Sequence, residues 1–319
     1  MTEISTNLEK AKVILKSDEL VAIPTETVYG LAANAFSENA VKKIFALKNR
    51  PAFNPLIVHI ASISDLDKIA KNVTPLAMKL AEAFWPGPLT LLLEKKSIIS
   101  DCVTAGNTTV AVRIPNHPLT LKLLSELPFP LAAPSANPFM SISPTNPQHV
   151  KNYFDGKLKF ILDGGSCIDG IESTIIGFKD NQAVLYREGS CEIAELEKIA
   201  GILLKPEKTA TTIEAPGMLK KHYAPKTKLV VTTNISESIQ EHFGKKIGVL
   251  SFIALETFPE VYIQKHLSSG NSLKEAATNL YSTLIELDSL HLDLIIAEYM
   301  PDSGLGNTIN DRLERASSS

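Results

Sequence analysis

Short apolar runs that each empty into a turn recur along this chain, interleaved with stretches of helical periodicity, and that alternation constrains the fold more than any other feature. The first two thirds carry LVAIP, PLIVHI, LTLLLE, TVAVRIP, PLAAPS, KFILDGG, STIIGF and AVLYRE, with ENAVKKIFALKNR between the first two as a helix. Some neighbouring runs leave no room for a helix and must pair antiparallel, whereas longer gaps allow helical crossovers. The expected fold class is therefore α/β: a mixed twisted sheet with flanking helices, ending near Lys205. Residues 206–228, PEKTATTIEAPGMLKKHYAPKTK, hold three prolines and no clear period, as a linker does. Beyond it KLVVTT, KIGVLSF, VYIQKHL and LDLIIAEY alternate with SESIQEHF, SLKEAATNLYSTLIELDSL and GNTINDRLERA. Residues 229–319 are accordingly expected to form a second, small, Rossmann-like α/β domain, since parallel strands need crossovers of that length.

Composition excludes more than it identifies. A formal net charge of -3 removes any global electrostatic case for nucleic-acid or membrane binding, so a positive patch has to be a site. The N-terminal MTEISTNLEK lacks the apolar core of a secretory signal, and no apolar run approaches the roughly 18 residues of a membrane span. A cytoplasmic protein with no membrane partner is expected. Cys102, Cys167 and Cys191 are scattered, which argues against a disulfide framework or a zinc site and for buried apolar cysteines.

The phosphate-cradling fingerprints GxGxxG and GxxxxGK[ST] are absent, and GLGNT at 304–308 reads as a turn opening the last helix. PTETVYGL at 24–31 places Thr25, Glu26 and Thr27 directly behind a buried strand. It is either a ligand-holding strand end or a strand-to-helix turn with Thr25 or Thr27 as N-cap. Lys48 and Arg50, with Asn54 just after, close a helix in KNRPAFNPL, which can be macrodipole compensation. Arg113 and Arg187 also follow apolar strands into turns, and four cations at such ends suggest a polyanion cradle, Lys48 and Arg50 having nothing to bond inside the protein. His59 falls on a sheet face where a satisfied core histidine is the ordinary case. The proline-spaced PLAAPSANPFMSISPT offers Ser135, Asn137, Ser143 and Thr145 on a rigid loop, and Ser173 and Thr174 open a strand after a glycine-rich turn. With no GxSxG, no Cys-His signature and no matched carboxylate pair, the pattern points to phosphate chemistry by positioning, usually with Mg²⁺.

The set PTETVYGL, KNRP, NPLIVHI, FWPGPLTLLL, VAVRIPNHP, PLAAPSAN, SPT, DGG and ESTII resembles the YrdC-type threonylcarbamoyl-AMP synthase family over residues 20–200. APGMLKKHYAPKT and GLGNTINDRLERA are similar to the linker and last helix of its longer, two-domain branch. The resemblance implies ATP-dependent activation of L-threonine with bicarbonate or CO₂, giving threonylcarbamoyl-adenylate and pyrophosphate. A downstream tRNA threonylcarbamoyl transferase would use the adenylate, weak tRNA binding is a further expectation, and Mg²⁺ would arrive with ATP rather than on protein ligands. By position, Thr27, His59, Arg113 and Ser173 resemble the threonine-binding set. Lys48, Arg50, Asn54, Thr109, Ser135, Asn137, Ser143 and Arg187 resemble the ATP set, Lys48 and Arg50 form the K-x-R pair to which catalysis is assigned, and Tyr223 resembles a linker tyrosine reaching the nucleotide from a lid.

The chain departs from the family's pattern at Phe139 and Met140, where a glycine is usual, at Arg187-Glu188-Gly189 in place of R-P-G, and at Asn49 inside K-x-R. Because Met resists positive φ, losing that glycine is expected to reshape the loop. Two other functions share this type of domain. An RNA-binding module without synthase activity would need an aromatic platform or a basic balance, and a carbamoyl-transfer enzyme of hydrogenase maturation would need acylphosphatase and zinc-finger segments.

Overall fold

The computed structural model describes residues 1–206, 214–217 and 223–318. Within the expected linker, residues 207–213 and 218–222 lie outside the described residues. The chain divides into two compact units. The first comprises Met1–Phe139, Pro144–Ile168 and Glu172–Met218, and the second Met140–Ser143, Asp169–Ile171 and Leu219–Ser319.

The first unit is built on a ten-stranded mixed sheet. Its strands run, edge to edge, Glu3–Ser5, Phe160–Leu162, Val21–Ile23, Gly30–Asn34, Leu131–Ala132, Ile57–His59, Thr109–Arg113, Leu89–Glu94, Thr174–Lys179 and Gln182–Arg187. The apolar runs of the sequence supply most of them. Two strands escape that reading, Glu3–Ser5 and Gly30–Asn34. GLAAN is poor in β-branched residues, and only pairing with Val21–Ile23 and Leu131–Ala132 makes it a strand.

The period of two sorts side chains onto opposite faces. Ala22, Leu31, Ala33, Val58, Leu91, Leu93, Val112 and Ala132 enter the main core on one face. On the other face, Val21, Ile23, Ala32, Leu131, Phe160 and Leu162 pack with Ala11 and Leu15 of helix Leu8–Lys16 and Leu123 and Leu124 of helix Pro118–Glu126. Farther along that second face the helices are replaced by a small cluster of Ile57, Leu92, Ala111 and Tyr186. Gly177 makes this possible, since a Cβ there would lie 2.5 Å from the Tyr186 ring. The sheet therefore keeps a shallow apolar floor where a thick core would otherwise stand.

The second unit has a four-stranded parallel sheet in the order Leu229–Thr232, Leu294–Glu298, Ile247–Ser251, Ile263–His266, with helices Ile235–Glu241, Leu273–Ser289 and Leu305–Ser317. Gly304 caps the last helix at φ 50°, so GLGNT is the turn its sequence suggests. Gly306 is required there, because a Cβ would meet the Pro301 carbonyl at 1.9 Å. The three cysteines are free, and among the described residues no helix is long and apolar enough to cross a membrane.

Candidate active site

PTETVYGL joins strand Val21–Ile23 to the antiparallel strand Gly30–Asn34, so no helix follows and the N-cap reading of Thr25 or Thr27 is overturned. Thr25 organises the bend instead. Its Oγ1 donates to the Val28 carbonyl at 2.7 Å, accepts from the Thr27 and Val28 amides, and lies 2.8 Å from Thr27 Oγ1. Thr25, Glu26 and Thr27 are thereby all buried. Arg113, at the end of its strand, reaches the same bend: Nη1 donates to Thr27 Oγ1 at 2.9 Å and Nε to the Gly87 carbonyl at 3.2 Å. Arg113 Nη2 stands 2.6 Å from Glu26 Oε2, both side chains almost fully buried. The N–H directions do not align on that carboxylate, so the contact is a coulombic pair rather than a bidentate fork.

A second cationic group sits where helix Glu38–Lys48 ends. Asn49 terminates it in the left-handed region at φ 52°, the conformation glycine usually supplies and Asn tolerates. Lys48 is buried, and its Nζ donates to the Ser135 carbonyl at 2.6 Å and to the Asn137 carbonyl. Arg50 Nη2 donates to Asn54 Oδ1 at 2.6 Å and to the Pro55 carbonyl at 2.8 Å, while Nε bonds the Asn54 carbonyl at 3.1 Å. The expectation that these two cations bond nothing inside the protein is therefore wrong. A buried cation must be solvated by something, and here carbonyl and amide oxygens do it. Burial, with the Arg50 charge beside it, pushes the Lys48 pKa well below the ordinary lysine value.

Strand Thr109–Arg113 carries Arg113 at its end. Thr109, Ala111 and Arg113 share one face, and its ends are about 13 Å apart at strand rise. In the parallel neighbour Ile57 stands opposite Ala111 and His59 opposite Arg113, and Asn54 lies just upstream. His59 is buried, yet its Nδ1 has no hydrogen-bond partner among the described residues, so the satisfied core histidine is not what the fold provides. Burial, then the Arg113 charge, bring its pKa down to about 3, leaving a neutral imidazole. Asn54 Nδ2, Glu26 Oε1 and His117 Nδ1 are likewise buried without a hydrogen-bond partner among the described residues. Each such atom costs about 1–3 kcal/mol, and groups left unsatisfied in this way are what a ligand can satisfy.

Ser173 Oγ lies 2.8 Å from Thr90 Oγ1 and 3.1 Å from Arg187 Nη2. Arg187 also donates to the Ser173 carbonyl through Nη2 at 2.9 Å and to the Pro216 carbonyl through Nη1 at 3.4 Å. Ser135 is half-buried and bridges to Gly30, and the Asn137 amide donates to the Pro138 carbonyl at 2.9 Å. Ser143 and Tyr223 belong to the second unit. Tyr223 is buried there, its ring stacked on Tyr281 at 5.7 Å with the Arg312 guanidinium 4.9 Å from its centroid. Met140 adopts φ 70°, a left-handed conformation reached without glycine. Its carbonyl accepts from the Ala224 amide at 2.8 Å, and Ser141 bridges to Ala224.

Sequence reasoning assigned no role to Glu26, Thr90 or His117. Glu26 lay in plain sight within PTETVYGL, but nothing local announces that its partner is an arginine at position 113. Among the described residues no cluster of three His, Cys, Asp or Glu could hold a metal ion.

A family model described as "Telomere recombination" matches residues 13–189, and one described as "Threonylcarbamoyl-AMP synthase, C-terminal domain" matches residues 191–318. A Pyrococcus abyssi protein named threonylcarbamoyl-AMP synthase is 41% identical over 317 residues, covering 95% of this chain and 92% of that protein. A Bacillus subtilis protein of the same name is 41% identical over 330 residues, covering 98% and 94%. The crystal structure of P. abyssi Sua5 complexed with L-threonine superposes with a TM-score of 0.92 at 39% identity, covering 99% of this chain and 98% of that one.

Proposed function

The chain belongs to the two-domain Sua5 family of threonylcarbamoyl-AMP synthases, and from that premise we propose that it makes L-threonylcarbamoyladenylate and pyrophosphate from L-threonine, bicarbonate or CO₂, and ATP. One contrast supports the reading beyond kinship: a buried arginine is balanced by a carboxylate, a buried lysine and arginine are held by carbonyl and amide oxygens, and Glu26, Asn54 and His59 each keep a buried polar atom without a hydrogen-bond partner among the described residues. The first suits an amino acid and the second a polyphosphate.

In this reading Thr27, His59, Arg113 and Ser173 hold threonine, with Arg113 toward its carboxylate. Neutral His59 offers a hydrogen bond without adding charge. Lys48, Arg50, Asn54, Thr109, Ser135, Asn137, Ser143 and Arg187 hold ATP. Threonine's amine captures CO₂, and an oxygen of the resulting carbamate attacks the α-phosphorus as pyrophosphate leaves. Lys48 and Arg50 offset the charge that builds on the phosphates, and no enzyme nucleophile takes part. Mg²⁺ would arrive with the triphosphate and would offset its charge, beside Lys48 and Arg50. The linker 206–228 would act as a lid with Tyr223 helping to close the nucleotide site. The adenylate would pass to a transferase acting on tRNA, with weak tRNA binding, in the cytoplasm.

The test is pyrophosphate release from ATP by the purified chain, with threonylcarbamoyl-adenylate identified by mass. Release is expected only when threonine and bicarbonate are both present. Release independent of either, or tight RNA binding without turnover, would overturn the reading.

A further inference from the structure

We propose that Glu26 is the second half of an amino-acid-reading pair, its carboxylate receiving the substrate's α-ammonium and accepting a proton from it while Arg113 receives the α-carboxylate. The inference rests on the threonine site proposed above and names a residue that reading leaves unused.

Glu26 is 2% exposed and Arg113 3% exposed. Burying a carboxylate is expensive, and the fold accepts that cost at the tip of a bend that Thr25 holds in place. If Glu26 served only to neutralise Arg113, an aligned fork would be the stable geometry. Instead Arg113 spends Nε on the Gly87 carbonyl and Nη1 on Thr27, and its Nη2 N–H groups do not align on the carboxylate 2.6 Å off. Glu26 Oε1 accepts no hydrogen bond from any described residue. One donor of the arginine and one acceptor of the glutamate are thus left over side by side. Their charges have the order and closeness of the two charges on an α-amino acid, which no phosphate or simple carboxylate would match.

The chemistry asks for such an acceptor. An ammonium has no lone pair and cannot attack CO₂. In the step that forms the carbamate, the ammonium first gives a proton to the Glu26 carboxylate. The amine lone pair then forms the N–C bond, a C=O π pair moves onto oxygen, and the second N–H proton leaves to solvent. The sum is R–NH₃⁺ + CO₂ → R–NH–COO⁻ + 2 H⁺, with Glu26 returning its proton to water afterwards.

The full-length chain is titrated calorimetrically with L-threonine and with 3-hydroxybutyrate, which keeps the carboxylate and hydroxyl but lacks the amine. Wild type is expected to prefer threonine by about tenfold or more, the worth of one charge-assisted hydrogen bond. Glu26→Gln is expected to erase that preference, losing threonine while holding or gaining 3-hydroxybutyrate, and Glu26→Asp to restore part of it. Equal change for both ligands in Glu26→Gln would reduce Glu26 to a counter-ion and overturn the proposal. So would a wild type that binds both ligands equally, a result that needs no variant to fold. A wild type that binds neither would overturn the threonine site itself, and the pair with it.

Discussion

Arg113 and Lys48 are both buried cations at the ends of core elements, but their surroundings differ in kind. Arg113 is balanced by Glu26 at 2.6 Å, so its neighbourhood is dipolar and close to neutral. Lys48 is held by the carbonyls of Ser135 and Asn137, with the Arg50 charge acting on it as well. Carbonyls solvate a cation without cancelling it, and burial first, then the Arg50 charge, lowers the Lys48 pKa. Positive charge kept uncancelled suits a polyanion, and charge cancelled in place suits a zwitterion. The difference teaches that counting cations at strand and helix ends does not define a site; the sign and type of what holds them does.

The largest effect that could break this comparison lies at the polyanion end. Lys48→Ala and Arg50→Ala are each expected to cut adenylate formation by about 10²-fold or more, the loss typical of a preorganised charge stabiliser. They also strip donors from buried carbonyls, at about 1–3 kcal/mol of stability, so the rate is read per folded molecule. Wild-type-like pyrophosphate release from both variants would remove the distinction between the two ends.

At the zwitterion end Arg113→Lys keeps the charge and the partner Glu26 but loses the planar fork shared among Gly87, Thr27 and ligand. Threonine affinity is expected to fall about tenfold or more while ATP affinity stays within about twofold. Calorimetry on the two ligands separates these outcomes. Equal losses would make Arg113 a structural arginine and collapse the two regions into one.

Much of this was legible in the chain and much was not, for a physical reason. Long apolar runs such as LTLLLE announce their strands because burial on both faces needs that composition. Gly30–Asn34 does not, because its strand state is decided by neighbours. The cations were visible as residues, but their partners were not: Lys48 meets Ser135 across 87 positions and Arg113 meets Thr27 across 86. Asn49 shows the opposite case, a local requirement for left-handed backbone met by a residue that tolerates it, as its place at a helix end suggests. Tyr223 was read as a linker residue, and its stacking on Tyr281 depends on a helix no local pattern connects to it.

A smaller effect sharpens the boundary between the ends. His59 stands opposite Arg113, and its folded-state pKa of about 3 lies below the roughly 6.5 of an unfolded histidine. The unfolded chain therefore binds a proton that the folded chain refuses. Stability from this group is full above the unfolded value and falls as pH drops from about 6.5 toward about 3, by at most about 1.4 kcal/mol per pH unit. His149, with a pKa lowered to about 4 by burial, contributes in the same sense. Urea unfolding of wild type and His59→Gln at pH 7 and pH 5 is expected to show a smaller acid loss in the variant. An unchanged loss would mean that neither burial nor the Arg113 charge keeps His59 neutral.

The smallest effect concerns Met140, where the backbone does what its side chain resists. A left-handed non-glycine residue costs about 1–2 kcal/mol, and glycine returns roughly 0.5–1 kcal/mol of that as unfolded-chain entropy. Met140→Gly is therefore expected to stabilise the chain by no more than about 1 kcal/mol, seen as a small rise in denaturation midpoint. Because residue 140 already holds a left-handed φ that glycine adopts freely, with the Met140 carbonyl bonded to the Ala224 amide, the KM for ATP is expected to stay within about twofold. A larger change in KM would show that the methionine side chain itself tunes the nucleotide end, and that this end is defined by more than its carbonyl-held cations.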